Sequence, residues 1–175
     1  MLTDTHCHLD FNKFDEDREA VIQRASEAGV RRILVPALDF ESSRATVRLA
    51  ANYPTIYAAV GFHPTDLEKW NENSIESLRE LVSPHPNPSP GGRGTQGERK
   101  IVAIGEIGLD YYWIREPEKH AFQQEVLKQQ LKLAQEVNRP VIIHMREEND
   151  AWFGQASVDL LEILSVWQQE LHAQD

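Results

Sequence analysis

The chain has 175 residues, 41% of them hydrophobic and 26% charged, with a formal net charge of −10, a composition that describes one folded domain rather than a disordered chain. Its longest apolar runs, residues 33–38 and 56–62, fall far short of the roughly 20 residues needed to cross a bilayer, and the N-terminus lacks the basic and apolar parts of a secretory signal. The acidic balance excludes binding a polyanion through a broad basic surface, though not through a site where metal ions supply the positive charge. Residues 2–8 are predicted as a first strand. Asp15 then reads as the cap of a helix whose apolar positions Val21, Ile22, Ala25 and Ala28 recur at helical spacing, with Gly29 ending it. A second strand over 32–38, a helix over 42–52 and a third strand over 56–62 follow, and a shorter helix runs over 74–82. Residues 101–107 are β-branched without alternation, the mark of a strand buried on both faces. Pro117 opens a helix that carries Phe122, Val126, Leu127, Leu131, Ala134 and Val137 on one side. A fifth strand over 140–144 and a last helix over 157–172 close the chain.

The alternation of strands and helices predicts an α/β fold with a parallel sheet. About five βα units form an incomplete TIM (β/α)8 barrel, since a full barrel takes about 250 residues, and its first and fifth strands would be left as open edges. The whole chain, 1–175, is expected to be one partial barrel domain. It is interrupted over 83–100 by a flexible insertion, in which four prolines at alternate positions precede four glycines. His85 lies inside this insertion and is not taken as a ligand.

His6 and His8, two apart on a predicted strand, are expected to point to one face, where two imidazoles can hold a divalent ion. With 7 histidines in 175 residues, about 0.3 such pairs arise by chance, so the pair alone carries little. The positions of the other polar residues carry more. His63 follows the third strand, Glu106 ends the fourth and His144 ends the fifth, and parallel α/β folds place ligands and catalytic groups at the carboxyl ends of strands. A buried set of imidazoles and a carboxylate is costly without a cation to pair them.

Four ordered motifs carry a resemblance: Thr3-Asp4-Thr5-His6-Cys7-His8-Leu9-Asp10, Gly61-Phe62-His63-Pro64, Ile104-Gly105-Glu106-Ile107-Gly108-Leu109-Asp110-Tyr111-Tyr112, and Pro140-Val141-Ile142-Ile143-His144. Together they resemble the TatD family of metal-dependent deoxyribonucleases, TIM barrels of the amidohydrolase superfamily. The resemblance implies that His6 and His8 bind one divalent metal ion (Mg, Mn or Zn), that Glu106 bridges it to a second, and that His144 binds the second. It also implies that His63 stands near the scissile phosphate, a catalytic residue with Glu106, and that DNA is the substrate. Two ions close together can convert a bound water to hydroxide and stabilise charge on phosphoryl oxygens. The family pattern continues with a histidine and a later aspartate that have no match here, and neither role is carried over to Asp150, Asp159 or His172.

Around this set, Asp4 could orient one of the histidines or hydrogen-bond the backbone. Arg146 is a candidate phosphate contact with a surface salt bridge as its alternative. Asp110, Tyr111 and the aromatics after it are candidates for substrate contact or loop packing. Cys7, the single cysteine, should face the helical layer, and a chain with no disulfide suits a reducing compartment, the cytoplasm. No protein partner and no membrane contact are predicted. Two rivals remain: the same metal centre acting on small amides or esters, and an inactive truncated remnant.

Overall fold

The computed structural model describes residues 1–83 and 100–173. Among the described residues five strands and five α-helices alternate: β1 (Leu2–Asp4), α1 (Arg18–Glu27), β2 (Val30–Pro36), α2 (Phe40–Asn52), β3 (Ile56–Val60), α3 (Ser74–Val82), β4 (Ile101–Asp110), α4 (Pro117–Glu136), β5 (Val141–Arg146) and α5 (Gln155–His172). The strands lie in one sheet in the order β1-β2-β3-β4-β5, every neighbouring pair parallel. This is a parallel half-barrel. Residues 84–99, most of the Pro/Gly-rich insertion and His85 with it, lie outside the described residues.

Burial follows position in the sheet. β4 is buried along almost its whole length, as its β-branched run predicts. At the two ends of the sheet β1 is exposed throughout and β5 only half-buried, and among the described residues each has a single neighbouring strand. No described helix is long and apolar enough to cross a membrane.

Three local signals decide where elements begin and stop. Asp39 caps α2 by accepting from Ser42 N–H at 2.8 Å while the Ser42 hydroxyl accepts from Asp39 N–H at 2.8 Å, so the helix starts at Phe40 and not at Ser42. α1 begins at Arg18 rather than just after Asp15, because residues 12–14 form a short 3₁₀ turn and Asp15 pairs with Arg18 at 2.7 Å. Gly29, with φ 94°, ends α1 in the left-handed conformation that favours glycine. β1 is shorter than predicted: it ends at Asp4, whose Oδ1 accepts from His6 N–H at 3.0 Å and turns the chain out of the strand. Asp4 thus holds the His6 backbone and not an imidazole. Cys7 packs part-buried against the core and donates its N–H to the Leu34 carbonyl at 3.1 Å.

α4 buries Val126, Leu127, Leu131 and Ala134 of its expected apolar stripe and adds two glutamines to that face. Gln123 and Gln130 are buried while Phe122 is 42% exposed. Gln130 accepts from Phe62 N–H at 2.7 Å and donates to the Phe62 carbonyl at 3.0 Å. Gln123 accepts from Asp110 N–H at 2.9 Å and donates to the carbonyls of Asp110 (3.1 Å) and Pro64 (3.2 Å). Backbone groups that the strand ladder leaves open beside the carboxyl ends of β3 and β4 are thereby satisfied.

Candidate metal centre

Five side chains from four regions of sequence meet at the carboxyl ends of the strands. Backbone bonds tie them across the mouth: Glu106 N–H donates to the Ala37 carbonyl at 3.0 Å and His63 N–H to the Leu38 carbonyl at 2.9 Å. Glu106 is buried, and its two oxygens face different groups. Oε2 lies 3.2 Å from His6 Nε2 and 3.8 Å from His8 Nε2, and the two Nε2 atoms are 3.2 Å apart. Oε1 lies 3.2 Å from His144 Nδ1 and 4.0 Å from His63 Nε2, and the His63 and His144 rings meet edge to face at 4.3 Å between centroids.

Both groups have the composition of a cation site. His6, His8 and Glu106 form one set and His63, Glu106 and His144 the other, each with its ligand atoms within 4.8 Å of one another. Metal–nitrogen and metal–oxygen bonds of about 2.0–2.2 Å in tetrahedral geometry place neighbouring ligand atoms about 3.3–3.5 Å apart, which the 3.2 Å spacings of His6 Nε2 approach. Two imidazole nitrogens and a carboxylate oxygen at that separation suit a positive charge between them. The donors present therefore fit a divalent metal.

The protonation states of Glu106, His63 and His8 agree with that fit. Burial works against a charged Glu106, but its hydrogen bond with His144 and the imidazoles around it outweigh burial and hold its carboxyl below the usual range. Burial first, then the neighbouring His144, push His63 down to about 4, so it is neutral at physiological pH, the form that ligates metal. His8 is also lowered by burial. For His144, burial is outweighed by hydrogen bonds with Glu106 and Asp110, and its pKa is raised.

Around the centre Asp110, Tyr111 and Arg146 take the packing and salt-bridge alternatives. Asp110 is 1% exposed; Oδ2 lies 3.0 Å from His144 Nε2, and Oδ1 accepts from the N–H groups of Tyr112 (3.0 Å) and Trp113 (2.7 Å). It orients His144 from the side away from Glu106, and its burial removes it from substrate. Tyr111 is likewise withdrawn. The residue is 2% exposed, its ring stacks on His120 at 3.6 Å, and its hydroxyl donates to Asp159 at 2.6 Å, leaving no open face for a base. Asp159, the acceptor of that bond, is half-buried. Arg146 takes the salt-bridge alternative, pairing with Asp150 at 2.8 Å while its guanidinium lies 3.8 Å from the Tyr112 ring centroid and 5.3 Å from that of Trp113. His6 and His8 converge from an irregular loop beyond β1. Gln123, Gln130 and the supporting role of Asp110 had no reading from sequence; the glutamines' one signal is two polar residues seven apart on an apolar helix face.

The sequence pattern described as TatD related DNase matches residues 3–173. The chain belongs to this family. It is 42% identical over 147 residues, 84% of its own length, to the metal-dependent hydrolase YjjV of Escherichia coli K12, and covers 51% of that protein. It is 32% identical over 168 residues to the 3'-5' ssDNA/RNA exonuclease TatD of Cronobacter sakazakii, spanning 96% of this chain and 55% of that one. Among solved structures, Escherichia coli YjjV superposes with a TM-score of 0.68 at 41% identity, covering 82% of this chain and 50% of that chain. A TatD family hydrolase from Entamoeba histolytica shares the fold at 20% identity, with a TM-score of 0.71 over 96% of this chain and 55% of its own. The chain of this TatD-family protein thus spans about half the length of the curated relatives it matches.

Proposed function

We propose that this chain carries the metal centre of a hydrolase that cleaves phosphodiester bonds, with DNA as its substrate. The observation that carries the reading is the division of one buried carboxylate: Glu106 Oε2 faces His6 and His8, and Oε1 faces His144 and His63. A carboxylate can bridge two cations through two oxygens, which a single imidazole nitrogen cannot do. In this reading His6, His8 and Glu106 would hold one ion and Glu106, His144 and His63 the second, so that His63 moves from its expected place near the scissile phosphate into the ligand set. Divalent ions there supply Lewis acidity towards a phosphoryl oxygen and lower the pKa of water. The protein's own part is positional. Glu106 stays ionised, His63 stays neutral with Nε2 towards Glu106, and Asp110 holds His144 in place. Arg146, the last residue of β5, and the exposed Trp113, just past the end of β4, would receive a phosphate and a base. The names of the relatives, a metal-dependent hydrolase and ssDNA/RNA exonucleases, support the substrate class. The lone, half-buried Cys7 suits a reducing compartment, and we assign the protein to the cytoplasm.

The test is incubation of the purified chain with 5'-labelled single-stranded DNA and Mn²⁺, beside calorimetric counting of bound ions. Two ions per chain and cleavage that is lost in the combined His6→Ala and Glu106→Ala variant are expected. Cleavage that survives both substitutions overturns the reading, and hydrolysis of small esters in preference to DNA would transfer it to a different substrate.

A further inference from the structure

His8 is held on three sides. Its Nε2 faces His6 and Glu106, and its ring stacks on Phe11 with centroids 4.7 Å apart and planes inclined by 16°. On the third side are two orphans. His8 Nδ1 and Asp10 Oδ1 are both buried, and neither has a hydrogen-bond partner among the described residues. They face each other at 3.9 Å, with the Asp10 side chain only 4% exposed. Unpaired buried polar atoms are costly and uncommon, and two of opposite capacity side by side point to one interaction. At 3.9 Å the gap lies just outside the hydrogen-bond range of about 2.7–3.2 Å, so the bond requires the two groups to close by less than about 1 Å.

The loop around Asp10 is pinned. Arg18 donates from Nε to the Leu9 carbonyl at 2.6 Å and from Nη2 to the Phe11 carbonyl at 3.1 Å, so the residues on both sides of Asp10 are fixed by one guanidinium. The carboxylate is directed at His8 by a built segment.

We propose that Asp10 is a positioning residue of the metal centre: its carboxylate accepts a hydrogen bond from His8 Nδ1–H and so fixes the tautomer whose Nε2 lone pair points at His6 and Glu106. A proton held on Nδ1 leaves Nε2 free to bind a cation, and a ligating histidine characteristically gives its other N–H to a carboxylate or carbonyl. The ligating part of this inference rests on the proposed centre; the Asp10–His8 pairing does not. The competing acceptor is the backbone of Pro36, which also faces His8.

The two are separated by ¹⁵N-histidine NMR on the metal-free full chain at about pH 8, where unprotonated imidazoles report their tautomer. The wild-type protein is expected to carry the His8 proton on Nδ1, Asp10→Asn to retain it through its amide oxygen, and Asp10→Ala to lose the preference. In Mn²⁺ titrations Asp10→Ala should bind about 10–100-fold more weakly than wild type, and Asp10→Asn should recover most of that loss. A folded Asp10→Ala with unchanged tautomer and unchanged affinity overturns the proposal in favour of the Pro36 carbonyl. A wild-type spectrum with the proton on Nε2 overturns it without any variant. Failure of the wild-type chain to bind Mn²⁺ would overturn the metal-centre reading, while the tautomer readout decides the Asp10–His8 pairing independently.

Discussion

Gly108 on β4 pairs with His144 on β5, and the two backbones approach so closely that a Cβ at position 108 would run into the His144 carbonyl oxygen. Close packing of the two strands therefore sets where the His144 ring stands relative to Glu106. Gly108→Ala should force β4 and β5 apart at a cost of about 3 kcal/mol. A denaturant midpoint equal to that of the wild-type protein would refute this.

Gln130 spans both backbone groups of Phe62, the residue before His63. Gln130→Leu keeps the volume and strands a buried N–H and a buried carbonyl, so it should destabilise by about 1–3 kcal/mol. The expected signature in hydrogen exchange is faster exchange of the Phe62 amide. Unchanged protection there would mean that the glutamine is replaceable by simple packing.

Glu147 stands nine and ten residues before the α5 groups it binds. It accepts from Ala156 N–H (3.2 Å), Ser157 N–H (2.6 Å) and the Ser157 hydroxyl (2.6 Å). Burial opposes its charge, but these hydrogen bonds outweigh burial and hold the carboxyl below its ordinary value of 4.5. The folded state therefore gives up this proton at lower pH than the unfolded chain. Its contribution is complete above the unfolded value and is lost as pH falls through the folded one. Glu147→Gln should lower stability at neutral pH by about 1–3 kcal/mol and reduce the loss of stability on acidification below about pH 4. Parallel stability-against-pH curves for the two proteins would contradict this account.

Asp110 touches His144 on the nitrogen opposite Glu106. Asp110→Asn preserves the shape and the bonds to Tyr112 and Trp113 but weakens the hold on His144. Metal affinity of the second group should fall about 10–100-fold, while the His6–His8 group keeps its own. Two-site calorimetry checks this; equal weakening at both sites would argue for a structural cause.

Divalent metal should stabilise the fold. A cation present at 100 times its dissociation constant adds about 2.7 kcal/mol, so Mn²⁺ should raise the melting temperature and EDTA reverse the rise. The combined His6→Ala and Glu106→Ala variant should show no such shift.

Much of the fold was legible because hydrophobic periodicity is a property of neighbouring residues. Ser74–Val82 matches its predicted helix, and the unbroken β-branched stretch from Ile101 marked the buried strand β4. Departures occur where a side chain overrides the local pattern. Asp4 ended β1 early, Asp39 began α2 early, and Gln123 took the place that Phe122 was expected to fill. For Asp110 and Tyr111 the sequence left substrate contact and packing both open, and packing holds because α4 covers Asp110 through Gln123 and α5 reaches Tyr111 through Asp159.

The residue types at the strand ends, and the order in which strands and helices follow one another, were set by the sequence by itself, because burial of apolar side chains writes its period directly into the chain. Which oxygen of Glu106 meets which imidazole, and that Asp110 supports His144 from behind, was decided only in three dimensions. Those contacts join groups up to a hundred residues apart, and their distances depend on strand order and register, which arise from packing of the whole sheet and leave no periodic trace in any one segment.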